Sequence, residues 1–223
     1  MAAESVPAPD PEPEHDPVRG LEQPAPSGRP KRMRVRRLLA RTLLRLTGWE
    51  KVGTLPRTGI FVGAPHTSNW DFVLTLLVLW ADEIPPRVLL KQEMFRGPLA
   101  WFFRSLGAIP TDRRGGAGLV KRLVREASES DSFVLVLAAE GTRTKTDYWK
   151  SGFYRIAQTT GLPLTLGFID GPTRRTGIGE TFQVTGDVRA DMDRIRAFYA
   201  DKRGIRPGLG GTPRLREEDP AAQ

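Results

Sequence analysis

The run Gly59-Ile-Phe-Val-Gly-Ala-Pro-His-Thr-Ser-Asn-Trp-Asp71 constrains the fold more than any other stretch of the chain. Ile60-Phe61-Val62 reads as a short buried strand. Pro65 disfavours helical backbone at Ala64 and holds a break open. Thr67, Ser68 and Asn69 each suit a helix N-cap, and an almost wholly apolar run follows from Phe72 to Ala81. The sequence therefore predicts a strand that hands over to a helix running from Asn69 to about Trp80. His66 falls in the turn and Asp71 near the first helical turn. Sites in α/β proteins gather at such handovers.

The same alternation continues along the chain. Val88–Leu90, Phe133–Leu137 and Leu162–Ile169 read as strands, and Phe182–Val184 as an edge strand. Helices are expected after Gly97-Pro98, from Gly115 to about Ser130, up to about Thr160, and over Asp191–Lys202, with a loop at Thr173–Gly179. This predicts an α/β fold, a single domain with a mixed or largely parallel sheet covered by helices. The apolar helix after Asn69 is expected to be buried or to line an apolar pocket.

His66 and Asp71 can do chemistry together. An imidazole takes a proton from a hydroxyl when a carboxylate fixes its tautomer and stabilises the cation that forms. Five residues apart is a poor spacing inside one helix, but it works if Asp71 reaches back to a turn. From the pair alone the plainer reading leads: Asp71 complements the helix dipole and His66 is a turn residue.

Composition narrows the choice. The 223 residues contain no Cys, so thiolate nucleophiles, disulfides and Cys-built zinc sites are excluded. There are two histidines, and His15 lies in residues 1–30, which hold eight Pro, six acids and two bases and read as a disordered tail. His66 is then the one candidate base. The net charge of +8 and pI near 10.3 favour an anionic partner: nucleic acid, a phospholipid surface or a phosphorylated substrate.

Residues 31–46 carry seven Lys/Arg and no acid. On a helical wheel Arg34, Arg37, Arg41 and Arg45 share one face, and Val35, Leu38, Leu39, Leu43 and Leu46 another. Residues 31–48 read as a basic amphipathic helix, either a membrane-surface anchor, a helix packed on the domain or a nucleic-acid contact. Neither a signal peptide nor a spanning helix is expected, because Phe72–Ala81 is about half of the ~20 residues that cross a bilayer.

Four ordered blocks carry a resemblance. His66-Thr-Ser-Asn-Trp-Asp71 matches the His-x4-Asp block of the glycerolipid acyltransferases, the family of the lysophosphatidic-acid acyltransferases. Gly107–Arg113 resembles the second block, Ala139-Glu140-Gly141-Thr142-Arg143 the third, and Leu162–Leu166 the fourth. Lys150-Ser-Gly152 is similar to the Lys-x-Gly that follows the third. The resemblance covers roughly 55–170. It implies the same α/β fold, an acyltransferase domain over 49–203, and a flexible tail over 204–223.

The resemblance also implies transfer of a fatty acyl group from acyl-CoA or acyl-carrier protein to the hydroxyl of a lysophospholipid, first of all 1-acyl-glycerol-3-phosphate. His66 is the implied base and Asp71 its orienter. Arg113, Glu140, Gly141, Thr142, Arg143 and Lys150 are the implied substrate-binding residues, with no metal and no cofactor beyond the co-substrate. The expected partners are acceptor, thioester donor and an anionic membrane surface, not nucleic acid. The expected location is peripheral, on the cytoplasmic face of the cell membrane. Ala139, Thr165-Leu166-Gly167 and the bulky Tyr148-Trp149 depart from the family pattern, so another lysolipid or an amphipathic alcohol stays open as acceptor. A catalytically silent lipid-binding membrane protein is the rival from another class.

Overall fold

The computed structural model describes residues 31–91, 108–111, 116–130 and 132–219. Its strands are β1 (Glu50–Val52), β2 (Thr58–Ala64), β3 (Pro86–Lys91), β4 (Ala108–Thr111), β5 (Phe133–Leu137), β6 (Leu164–Asp170) and β7 (Arg175–Phe182). They form one sheet in the order β1-β7-β6-β2-β5-β3-β4. Every neighbouring pair is parallel except β6 with β7. The helices are α1 (Lys31–Leu46), α2 (Trp70–Ala81), α3 (Gly116–Ser128), α4 (Gly152–Thr160) and α5 (Val188–Tyr199).

The central strands β2, β5 and β6 read as continuous apolar runs because both their faces are covered. On one face Ile60, Val62, Leu135, Leu164 and Leu166 pack with Leu123 of α3, Phe153 of α4 and Ile195 of α5. On the other, Phe61, Val134 and Val136 pack with Val78 and Leu79 of α2. Fully burying such a side chain stabilises the fold by about 1.5–3 kcal/mol. Truncations here would report on folding before they report on activity.

Helix α2 is apolar nearly all round because it has two partners. One side meets the sheet. Leu74, Leu77 and Ala81 on the other side share a cluster with Ala40 and Leu44 of α1. Arg37 of α1 lies 3.6 Å from Glu83, just past the end of α2, and the Arg36 guanidinium sits 5.3 Å over the Trp80 ring. The two helices therefore run antiparallel, and Leu43 and Leu46 lie toward the start of α2. Only a narrow stripe of α1 is buried: Met33, Ala40 and Leu44. Val35, Leu38, Leu39, Leu43 and Leu46 are exposed, so the apolar face foreseen in the sequence points away from the domain.

Two expectations are corrected. Thr173–Gly179 was expected as a loop and Phe182–Val184 as an edge strand, but β7 spans Arg175–Phe182 and the short β1 pairs beyond it. The glycines of this stretch permit close packing. A Cβ at Gly177, where φ is +148°, would sit 2.1 Å from the Val52 carbonyl oxygen, and one at Gly179 would sit 2.1 Å from the Phe198 ring. Residues 204–219 are also no free tail. Gly204 bridges to Asp170, and Leu215 is wholly buried in the main core. One apolar side chain amid Gly, Pro and charge anchors the segment. The N-terminal stretch 1–30, the aromatic helix expected after Pro98, and Arg113 lie outside the described residues.

Candidate active site

The turn between β2 and α2 is built around Asp71. No side chain caps the helix at Asn69; instead the acid in the first turn reaches back. Asp71 Oδ2 accepts from the Thr67 and Ser68 backbone N–H groups, each at 2.6 Å, and lies 3.2 Å from His66 Nδ1. Asp71 is buried and the His66 side chain half-buried. With Nδ1 held toward the carboxylate, Nε2 is left as the basic atom. The geometry that five-residue spacing required, a histidine in the turn with the aspartate folding back, is the one present.

Glu140 braces the same turn from below. It leaves the end of β5, is 1% exposed, and accepts the His66 backbone N–H on Oε1 at 3.2 Å. Its Oε2 is buried without a hydrogen-bond partner among the described residues. Burial is the main cause that pushes its carboxyl up from the ordinary 4.5 to about 7. The His66 N–H and imidazole oppose the rise, and the Asp71 charge adds to it. Expected on the acceptor side, Glu140 is instead a buried support of the histidine turn.

The other third-block residues have separate places. Gly141 turns the chain with φ +65°, and its N–H donates to the Ala138 carbonyl at 3.1 Å. Thr142 Oγ1 is taken up inside its own loop by the Thr144 N–H and hydroxyl. The Lys150 stem lies over Gly141, where a Cβ would come within 3.1 Å of Lys150 Cγ, while its N–H donates to the Ala139 carbonyl at 2.7 Å. Arg143 is exposed and borders the cavity that His66 opens onto. The structure thus gathers His66, Asp71, Glu140 and Arg143, with Lys150 beside Gly141.

That cavity measures about 380 Å³ and runs between α2 and the sheet. His66, Asn69, Asp71 and Arg143 are at one end; Phe61, Val78 and Val88 line its interior. Along α2, Val78 is seven residues from Asp71, about 10 Å at 1.5 Å per residue. The cavity exists because the sheet is bare there. Gly63 and Gly167 are register partners, and the Phe61 ring occupies the place where a Gly167 side chain would be, 1.9 Å from its would-be Cβ. The Tyr199 hydroxyl donates between the Val62 and Gly167 carbonyls, at 2.9 and 2.8 Å, and ties the two strands at this level. Sequence reasoning noted Gly167 as a departure from a pattern; its use as an absence of side chain appears only once Phe61 is placed above it. Among the described residues no group of three or more His, Cys, Asp or Glu side chains is arranged to hold a metal ion.

Residues 45–166 match the family model described as Acyltransferase. No curated protein sequence matches the chain. Among solved structures, the fold is similar to that of the 1-acyl-sn-glycerophosphate (LPA) acyltransferase PlsC from Thermotoga maritima. The TM-score is 0.52 at 16% identity, over 73% of this chain and 76% of that one.

Proposed function

The chain belongs to the acyltransferase family, matched over more than half its length, and from that premise we propose that it acylates a lysophospholipid, 1-acyl-glycerol-3-phosphate first. The donor is an acyl thioester on CoA or acyl-carrier protein. The observation that carries this reading is a histidine–carboxylate pair lining a largely apolar cavity of about 380 Å³. A methylene is about as large as a water molecule, roughly 30 Å³, so the cavity has room for on the order of a dozen methylenes.

In the reaction His66 Nε2 takes the proton of the acceptor hydroxyl while its oxygen bonds to the thioester carbonyl carbon. Asp71 stabilises the imidazolium. Collapse of the adduct breaks the C–S bond, and the imidazolium returns its proton to the leaving thiolate. No protein group is acylated. Arg143 and Lys150 supply positive charge for the acceptor phosphate.

The acceptor partitions into bilayers, and the exposed face of α1 suits a peripheral position on an anionic membrane. Val35, Leu38 and Leu46 are 67%, 70% and 78% exposed, and Trp70, next to Asp71, is 65% exposed. Arg34, Arg41 and Arg45 flank the apolar strip, each worth about 1 kcal/mol near anionic headgroups, while Arg37 is turned to Glu83. No helix among the described residues is long and apolar enough to cross a membrane.

The test is an acceptor screen with labelled palmitoyl-CoA, reading product lipids by mass. Phosphatidic acid should dominate with wild type, and Arg143→Ala should raise the acceptor KM far more than the donor KM. A product profile that ignores acceptor phosphate, or a rise confined to the donor KM, would overturn the acceptor assignment.

A further inference from the structure

We infer that residues 203–215 form a strap that positions the catalytic turn, acting through Thr67. The strap is fixed at both ends. At one end the Arg203 N–H donates to Asp170 Oδ1 at 3.0 Å, the Gly204 N–H to the Ile169 carbonyl at 3.1 Å, and the Gly171 N–H to the Gly204 carbonyl at 2.9 Å. At the other end the Trp149 N–H donates to the Arg214 carbonyl at 2.7 Å, and Leu215 is wholly buried. Between these anchors the strap crosses the turn. The Arg206 N–H donates to Thr67 Oγ1 at 3.1 Å. A Cβ on Gly204 would lie 2.8 Å from that same oxygen, and one on Gly210 would lie 3.1 Å from Pro65 Cβ. Two glycines let the strap press against both sides of His66.

Thr67 is therefore held from two directions. Its hydroxyl takes the strap, and its N–H donates to Asp71 Oδ2, the oxygen that faces His66 Nδ1. Displacing the strap frees Thr67, and with it the aim of Asp71 on His66. The strap lies wholly beyond residues 45–166, so the family match does not account for it. Its effect on turnover rests on the acyl-transfer reading; its effect on the turn does not.

The experiment uses the full chain with Thr67→Val, Thr67→Ser and Gly210→Ala. Transfer from palmitoyl-CoA to 1-oleoyl-glycerol-3-phosphate is measured beside amide hydrogen exchange of the peptide spanning 64–72. Misplacing a catalytic pair by about 1 Å costs on the order of 100-fold. Thr67→Val should lower kcat about 10- to 100-fold with both KM values nearly unchanged, and Thr67→Ser should restore most of it. Gly210→Ala should lower kcat in the same way. In Thr67→Val and Gly210→Ala the 64–72 peptide should exchange faster while β5 and β6 keep wild-type protection. Wild-type kcat and exchange in both variants would overturn the strap. So would equal loss of protection in β5 and β6, because the segment would then serve the fold at large. If wild type transfers no acyl group, the acyl-transfer reading fails, and the exchange data still decide the strap.

Discussion

Replacing Glu140 by Gln should remove a pH-dependent loss of stability and leave the histidine turn in place. Glu140 is 1% exposed and its carboxyl is raised from 4.5 to about 7, chiefly by burial. The sign follows from linkage. Below pH 4.5 the group is protonated folded or unfolded, so its contribution to stability is fully present. As pH rises from 4.5 toward 7 the unfolded chain releases the proton first, and stability is lost; above about 7 the loss is complete. At about 1.4 kcal/mol per pH unit the loss comes to about 3.5 kcal/mol. Gln cannot titrate but still presents a carbonyl oxygen to the His66 N–H. It leaves its amide donors without a partner, a cost of about 1–3 kcal/mol that does not vary with pH. The measurement is urea unfolding of wild type and Glu140→Gln from pH 5 to pH 9. The difference between them should move toward the variant by about 2.5 kcal/mol across that range, the rest of the loss falling below pH 5. Glu140→Ala, which also removes the acceptor, should lose more turnover than Glu140→Gln. Stability curves that stay parallel from pH 5 to pH 9 would refute the reasoning, since Glu140 would then be ionised and solvated in the folded protein.

Three further outcomes follow from the site. His66→Ala should lower transfer by about 10²–10⁴-fold without changing the unfolding midpoint, and Asp71→Asn should also be severe because it can leave the wrong tautomer; turnover within a few-fold of wild type would end the general-base mechanism. Val78→Phe, inside the cavity and about 10 Å along α2 from Asp71, should shift the preferred donor toward shorter acyl chains in a competition assay; an unchanged profile would mean the chain lies elsewhere. Leu38→Ser with Leu46→Ser should weaken co-sedimentation with anionic vesicles at low salt while sparing transfer to a short-chain, soluble acceptor; equal pelleting would move the membrane contact off α1.

How far the sequence carries the structure depends on how local the physics is. The strand–turn–helix at 59–81 was legible because Pro65, the polar trio and the apolar run act on their own neighbours. The backward reach of Asp71 was legible as a geometric condition on five-residue spacing. Glu140 was not legible in its role. A charged residue leaving a strand reads as solvent-facing or ligand-facing, and only the crossing of the His66 turn above it makes a buried support. β7 was missed because Gly177 and Gly179 signal a loop locally, while their reason is Val52 and Phe198, distant in sequence. The strap failed for the same reason: Gly204 and Gly210 are small because Thr67 and Pro65 lie beneath them.

The bonding of the turn also bears on where an acceptor phosphate goes. The start of a helix ordinarily offers free N–H groups and the positive end of its dipole to an anion. Here the protein's own oxygens take the donors of the turn before α2 and of its first residue. The His66 N–H goes to Glu140, the Thr67 and Ser68 N–H groups to Asp71, and the Trp70 N–H to Ser68 Oγ. A phosphate at this spot would compete with Asp71 for two short hydrogen bonds and would meet a buried carboxylate at close range. The turn before α2 is therefore spent on holding His66, and on the proposed reading the acceptor's charge is met by side chains beyond the end of β5. Arg143 is exposed and borders the cavity, and the Lys150 stem lies over Gly141. Base and phosphate site then belong to different strand ends, β2 and β5, which are adjacent and parallel in the sheet. On the proposed reading an acceptor spanning them presents its hydroxyl to His66 when its phosphate is seated at Arg143, so Arg143→Ala should slow the phosphate-bearing acceptor while leaving the thioester's own binding intact.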